Sequence, residues 1–235
     1  MSGRPELQLD WCSHAAAKYA VEHWHYSKSL RLFPHVALGV WEDGAFKGAI
    51  VFARGANRHL GRPYHLRDVE IAECIRIALT EHRSPVSRML AIAVRLLTQK
   101  EPGLRLLVSF ADMNQGHCGG IYQAAGWIYT GQVASGPLYQ LRDGTVRHRR
   151  EVSRSGVKPY FGRPRRVPRI ADCTKVAQLP KHRYLYPLDA AMRAQIAPLA
   201  QPYPKRATSI LADAPTDQAG ESGAAPTVAL AGSEG

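Results

Sequence analysis

Residues 69–100, VEIAECIRIALTEHRSPVSRMLAIAVRLLTQK, decide the fold of this chain. Residues 69–79 are rich in Ile, Ala, Val and Leu, which predicts a central β-strand. Ser84 and Pro85 then form the pair typical of a helix N-cap and first turn, and apolar residues recur at helical spacing as far as Lys100. The stretch therefore predicts a strand that passes through a short loop into an amphipathic helix.

The segments on either side of this unit predict a mixed sheet. Upstream we expect a strand over 6–12, a helix from Ala15 to Trp24 with Ser13 as its N-cap, and a hairpin that joins 35–42 to 45–53 at Asp43 and Gly44. Downstream we expect strands over 104–112, 127–133 and 138–144, and a short helix over 116–126. The chain is thus an α/β (α+β) protein whose helices flank a mixed sheet. This order of elements is similar to that of the GNAT acyltransferase fold.

Charge divides the 235 residues into three parts. Residues 142–183 contain 13 Lys and Arg but three acids, so this segment carries +10 of the formal net charge of +12. We therefore expect a folded body over 1–141 and a basic DNA-binding extension over 142–206 that packs on it. The order of elements in the body implies, by its similarity to the GNAT fold, that the body is a GNAT-like catalytic core. Residues 207–235 hold four acids, no bases and no aromatics, which predicts a disordered tail.

Composition also narrows the class of protein. No apolar run approaches the ~18 residues that a membrane helix needs, and the N-terminus lacks the apolar region of a signal peptide. We therefore expect a soluble, cytoplasmic protein without a membrane partner. The four cysteines, Cys12, Cys74, Cys118 and Cys173, are far apart and form no CxxC pair, which argues against a zinc knuckle or a disulfide framework.

The loop before the long helix is a candidate site for phosphate. Helix N-termini favour anions because their first N–H groups are unpaired and the helix dipole is positive there. Hydroxyl and guanidinium groups at this helix start could hold a cofactor phosphate: Arg83, Ser84, Ser87 and Arg88. The loop lacks the glycine-rich signature of GNAT proteins, so an ordinary capped helix start is an equal alternative.

Two further motifs place reactive side chains just after predicted elements, one after a strand and one after the first helix. Asp112 follows a buried strand, where side chains face the crevice of an open sheet, and Tyr122 lies ten residues later in a short helix. GNAT enzymes often place a general-acid tyrosine at this point. His25, Tyr26 and Ser27 follow the first helix, where a histidine can act as a base and a tyrosine can stack on a nucleobase. Each residue has a structural alternative, as a loop cap, a core side chain or a helix cap.

The basic extension combines cations with Tyr160 and Phe161. Lys and Arg neutralise phosphates, and aromatic rings stack on bases, so this composition favours nucleic acid over a merely solubilising charge run. The predicted DNA-binding residues are Arg147, Arg149, Arg150, Arg154, Lys158, Arg163, Arg165 and Arg166.

Several short strings, in order, resemble the Mom family of phage DNA-modification proteins. They are HYSKS, ECIRIAL with SPVSRML, FADMNQGHCGGIYQAAGWIYTG, and KHRYLYPLD, and they span about Trp11 to Asp189. The resemblance implies a divergent GNAT enzyme that carbamoylmethylates the exocyclic amino group of adenine in DNA and so protects that DNA from host restriction enzymes.

The resemblance also implies site residues and partners. The catalytic positions would be His25, Tyr26, Arg76, Asp112 and Tyr122, with Ser87 at the helix start. Double-stranded DNA and a small-molecule donor, acetyl-CoA or a related compound, are the implied partners. An iron ion and a homodimer stay open. The alternatives are a GNAT N-acetyltransferase that acts on a protein or small amine, and a non-catalytic DNA-binding module.

Overall fold

The computed structural model describes residues 3–30, 35–54, 59–160 and 162–205. The predicted disordered tail and Phe161 lie outside these residues. Within the described ranges, no helix is long and apolar enough to cross a membrane, and the four cysteines are free thiols.

Ten elements appear in the predicted order in the first part of the chain. They are β1 (Leu7–Trp11), α1 (His14–Trp24), β2 (His35–Glu42), β3 (Ala45–Ala53), β4 (Ile71–Leu79), α2 (Val86–Lys100), β5 (Leu106–Asp112), α3 (Gly120–Ala124), β6 (Ile128–Val133) and β7 (Leu138–Gln140). The chain continues with β8 (Val146–His148), β9 (Val157–Tyr160), β10 (Arg163–Arg166), β11 (Thr174–Val176), β12 (Lys181–Pro187) and α4 (Ala190–Ile196).

One seven-stranded sheet organises the molecule, in the order β1-β2-β3-β4-β5-β12-β6. All of its pairs are antiparallel except β4 with β5. The helices α2 and α3 cover one face with a core that includes Leu90 and Trp127, while α1 and α4 cover the other. The predicted α/β (α+β) class, a mixed sheet flanked by helices, is confirmed.

Local signals account for several of these elements. The side chain of Ser13 accepts a hydrogen bond from the Ala16 N–H and caps α1, as predicted. Asp43 and Gly44 both have positive φ, which joins β2 to β3 in a tight turn. Ser84 does not cap α2, contrary to the prediction, because the helix begins after Pro85 and Ser84 is buried beside Glu42.

The extension contributes more to the core than its composition predicted. Lys181–Pro187, which we did not predict as a strand, lies between β5 and β6 in the main sheet and pairs with both. The predicted strand over 138–144 instead joins a small separate sheet, β11-β7-β8. Residues 181–187 therefore complete the sheet that we had assigned to residues 1–141.

Candidate active-site cleft

A cleft forms where the parallel pairing of β4 and β5 stops. The register of this pair runs from Ile71 with Leu106 to Glu73 with Val108 and goes no further. At the next position the Ser109 hydroxyl donates to the Cys74 carbonyl at 2.9 Å. Beyond that contact, the two strands line opposite sides of a cleft of about 670 Å³.

The five predicted catalytic residues come together in this cleft. They are His25, Tyr26, Arg76, Asp112 and Tyr122, and they arrive from the α1–β2 loop, β4, β5 and α3. Residues that distant in sequence meet only because the sheet positions their elements. Whether each has a catalytic role stays a proposal.

His25 is held as a neutral ring. Its Nδ1 accepts the Ser27 backbone N–H at 3.1 Å and lies 2.9 Å from the Ser27 hydroxyl. Burial and the nearby charge of Arg76 lower the pKa of His25 to about 4. Because a backbone N–H can only donate, Nδ1 carries no proton, and the ring proton is therefore on Nε2. His25 is thus a hydrogen-bond donor through Nε2 near neutral pH.

Tyr26 lies at the mouth of the cleft. Its side chain is 46% exposed, and its ring contacts those of His25 and His117, with centroid distances of 4.3 and 5.5 Å. Burial of its hydroxyl and the carboxylate of Asp112, which accepts a hydrogen bond from it, raise the pKa of Tyr26. An aromatic ring exposed at a cleft mouth can stack on a nucleobase.

Asp112 is an ionised hydrogen-bond acceptor. Burial opposes its ionisation, but hydrogen bonds from Asn114 and the charge of Lys181 outweigh burial and lower the pKa of Asp112. Its Oδ1 accepts the Asn114 backbone N–H at 3.0 Å, and Lys181 Nζ lies 3.5 Å from its Oδ2. Asp112 therefore both caps the turn at Met113–Gln115, as the structural alternative predicted, and contributes negative charge to the cleft.

Arg76 connects the α1–β2 loop to the sheet. Its Nε and Nη2 donate to the Ser29 carbonyl at 3.4 and 3.3 Å, and its Nη1 donates to the Ile75 carbonyl at 2.7 Å. The guanidinium therefore fixes the loop that carries His25 and Tyr26, a positioning role in addition to its place in the cleft lining.

Tyr122 is buried at the base of the cleft. Its hydroxyl lies 2.7 Å from Ser109 Oγ, and burial raises the pKa of Tyr122 far above its ordinary value. Ser109 has one proton, and the Cys74 carbonyl can only accept, so both contacts form together only if the Tyr122 proton points at Ser109. Tyr122 is therefore better suited to a structural hydrogen bond in the wall of the cleft than to donating a proton to a substrate.

The predicted phosphate residues are only partly available. The buried carboxylate of Glu42 accepts the backbone N–H groups of Arg83 and Ser84 at 2.8 and 2.7 Å, and these bonds lower the pKa of Glu42 to about 2. The Arg83 guanidinium forms an ion pair with Asp43.

Ser87 and Arg88 are therefore the residues at this helix start that fit an anionic group best. Both are partly exposed, and Arg88 has a buried guanidinium nitrogen, Nη1, without a hydrogen-bond partner in the described parts of the chain. An unpartnered buried donor of this kind fits an oxygen of a bound phosphate.

Metal ligands do not cluster in the described ranges. There, no group of three or more His, Cys, Asp or Glu side chains is arranged to hold a metal ion. We therefore assign no residues to the iron ion that the sequence left open.

Sequence reasoning missed three residues that shape the cleft. His117 and Cys118 line it, and Lys181 reaches Asp112 from β12. The available signal was the three glycines that follow Asp112, at positions 116, 119 and 120. Gly119 has φ +80°, and a Cβ there would lie 2.3 Å from the Tyr184 ring.

The basic extension exposes nearly all of its predicted DNA-binding side chains. Seven of the eight are exposed: Arg147, Arg149, Arg150, Arg154, Arg163, Arg165 and Arg166. Lys158 differs, because its Nζ donates to the carbonyls of Arg149 and Arg150 at 3.2 and 2.8 Å. Burial and the charge of Arg149 lower the pKa of Lys158. Because of its two hydrogen bonds, Lys158 holds two parts of the extension together.

The extension is attached at the rim of the cleft. Its chain leaves the main sheet after Val133 and returns at Lys181, and these two residues are paired, while Lys181 also pairs with Asp112. The side chain of Asn114, which binds Asp112, also accepts the Leu179 N–H at 3.1 Å. The extension is thus joined to the main sheet at the strand ends that line the cleft.

Comparisons with known proteins identify relatives of this chain. Residues 6–205 match the family model of the Mom protein family. The chain is 25% identical over 210 residues to the methylcarbamoylase Mom of Escherichia phage Mu, covering 86% of each protein.

Solved structures show a weaker likeness. A putative acetyltransferase from Acinetobacter baylyi ADP1 has a TM-score of 0.45 and 12% identity, over 80% of this chain and 96% of that one. The N-acyl amino acid synthase FeeM from uncultured soil microbes has a TM-score of 0.44 and 13% identity, over 83% and 97%.

Proposed function

Because this chain belongs to the Mom protein family, we propose that it is a DNA-modifying transferase that carbamoylmethylates the exocyclic amino group of adenine. A relative that aligns with 86% of this chain is named a methylcarbamoylase. Such an enzyme would act on phage DNA in the host cytoplasm and protect it from restriction.

One observation carries the proposal. The basic extension rejoins the main sheet at Lys181, which pairs with Asp112 at the rim of the cleft that also holds His25 and Tyr26. A cleft alone would suit many small amines, whereas the exposed arginines of this extension would supply the phosphate contacts that a DNA substrate needs.

The cleft requires a base that has left the duplex. An enzyme cannot carry out chemistry on an amino group inside the base stack, so the adenine must flip out at a cost of a few kcal/mol. Tyr26, which is exposed at the mouth, would stack on the flipped base, and the Asp112 carboxylate would accept a hydrogen bond from its amino group. Phosphate contacts made by the extension would offset the cost of flipping.

The product limits how the bond forms. Simple acyl transfer from acetyl-CoA joins the amino nitrogen to a carbonyl carbon, whereas a carbamoylmethyl group is joined through its methylene carbon. The amino nitrogen must therefore form its new bond at that carbon and lose one proton, while the donor's leaving group departs with the bonding electrons. Acetyl-CoA itself carries neither a leaving group on its methyl carbon nor the amide nitrogen of the product, so the donor would be a related compound that brings both. Ser87 and Arg88 would hold the phosphates of that donor.

Nucleoside mass spectrometry tests the proposal. Plasmid DNA from cells that express the wild-type chain should contain a deoxyadenosine heavier by one carbamoylmethyl unit. Asp112→Asn should remove this species, because the amide has lost the charge that faces the amine. Asp10→Asn, at an exposed position on the opposite edge strand β1, is the matched control and should keep it.

The other outcomes distinguish the alternatives. Unmodified DNA together with acetylation of small amines by the purified chain would indicate an ordinary N-acetyltransferase. Unmodified DNA, no acetylation and tight duplex binding would indicate a DNA-binding module without catalysis.

A further inference from the structure

The β9–β10 hairpin projects from the basic extension as a narrow ribbon. Its register pairs Tyr160 with Arg163, Pro159 with Pro164 and Lys158 with Arg165. All four residues of β10 are exposed, and Tyr160 is 55% exposed. The ribbon forms its own two-stranded sheet, separate from the other two.

The two faces of this ribbon differ. Opposed residues in an antiparallel pair share a face, so Lys158, Tyr160, Arg163 and Arg165 lie on one side. On this side the Arg165 guanidinium lies 5.2 Å from the centre of the Tyr160 ring. Lys158 fixes the base of the same face to the turn at Arg149–Glu151. The face therefore presents two exposed arginines and an aromatic ring, and one of these arginines contacts the ring.

The paired prolines keep the ribbon two-stranded. A proline has no N–H, so Pro159 and Pro164 can oppose each other only where an N–H would point outward from the ribbon. The outer edges therefore lack a donor at their centre, which prevents another strand from adding there. This argues against a protein strand as the partner of the hairpin.

We infer that this ribbon enters the major groove of duplex DNA. The groove is about 12 Å wide and 8.5 Å deep, which admits a two-stranded ribbon whose strands lie about 4.8 Å apart. Arg163, Arg165 and Arg166 supply charge that complements the phosphates along the groove. The inference rests on the proposed function for its substrate, and it explains the side of approach: the amino group of a paired adenine faces the major groove.

Binding of the full-length protein to a labelled duplex tests the inference independently of catalysis. The variants are Arg163→Ala/Arg165→Ala and, as a control of equal charge change, Arg95→Ala/Arg193→Ala, two exposed arginines on α2 and α4. Each phosphate contact contributes about 0.9 to the slope of log affinity against log salt. The hairpin variant should therefore show a slope shallower by about 2, and the control should keep the wild-type slope.

Groove-binding dyes identify the groove. Methyl green, which occupies the major groove, should compete with the wild-type protein, whereas netropsin, which occupies the minor groove, should not. Competition by netropsin alone, or an equal loss of slope in the control variant, would overturn the inference. Because the assay measures binding and not modification, the absence of carbamoylmethylated adenine would leave this result unchanged.

Discussion

The Ser109 side chain joins β5 to β4 just beyond the point where their backbone pairing ends. Replacing it should therefore lower the stability of the protein. The side chain is 1% exposed and lies between the Cys74 carbonyl and the Tyr122 hydroxyl. Ser109→Ala loses the hydrogen bond to the Cys74 carbonyl and also leaves the buried Tyr122 hydroxyl unpaired. A net hydrogen bond contributes about 1 kcal/mol, and an unpaired buried polar group costs about 1–3 kcal/mol. We expect Ser109→Ala to lower the free energy of unfolding by about 3 kcal/mol.

A double-mutant cycle makes this expectation specific. Tyr122→Phe should cost about 1 kcal/mol, because Ser109 keeps its carbonyl partner. The double variant Ser109→Ala/Tyr122→Phe no longer holds an unpaired hydroxyl, so it should cost about 1.5 kcal/mol, less than Ser109→Ala alone. The two substitutions are therefore predicted to be strongly non-additive.

Urea unfolding measures the cycle directly. Tryptophan fluorescence is a suitable signal because the Trp127 ring lies 5.2 Å from the Tyr122 ring. Additive costs, with the double variant less stable than either single one, would refute the reasoning. That result would mean that the Tyr122 proton is not engaged with Ser109 and is available to the cleft.

Three further predictions follow from the site. The pKa of His25 is lowered from 6.5 to about 4, so as the pH falls through that window the unfolded chain is protonated at this residue before the folded chain, and stability is lost. The Tm of His25→Gln should therefore fall less than that of the wild type between pH 7 and 4.5. Parallel curves of Tm against pH would contradict this. Tyr26→Ala should reduce DNA modification at least tenfold while Tyr26→Phe keeps most of it, because stacking needs the ring and not the hydroxyl; equal losses in a nucleoside assay would exclude stacking. Gly119→Ala should lower the Tm by several degrees, since its Cβ would meet the Tyr184 ring at a positive φ; a wild-type melting curve would contradict the packing.

Local signals were sufficient for much of the fold. The Asp43–Gly44 turn, the Ser13 cap and the apolar periodicity after Pro85 each act over a few residues, so they predict elements without knowledge of the rest of the chain. Asp112 could be named because a strand end marks the edge of a sheet where side chains meet, whereas Arg76 was implied only by the resemblance to the Mom family.

Long-range pairing accounts for what the sequence did not predict. KHRYLYPLD contains three charged residues, a histidine and a proline, so its composition did not indicate a central strand, yet β5 and β6 pair with it on both sides. The engagement of Ser84 by Glu42 joins residues 42 positions apart, and no local pattern indicates it. Lys181 reaches Asp112 for the same reason, through the register of β12.

The most direct test of the account separates the cleft from the basic ribbon in a single titration. Modified deoxyadenosine is measured by mass spectrometry on a defined duplex as the concentration of purified protein rises, with the donor supplied by a cell extract. We predict that Asp112→Asn gives no modified nucleoside at any concentration, whereas Arg163→Ala/Arg165→Ala reaches the wild-type level at higher protein concentration. Modification by Asp112→Asn at the wild-type level would contradict the assignment of the chemistry to this cleft.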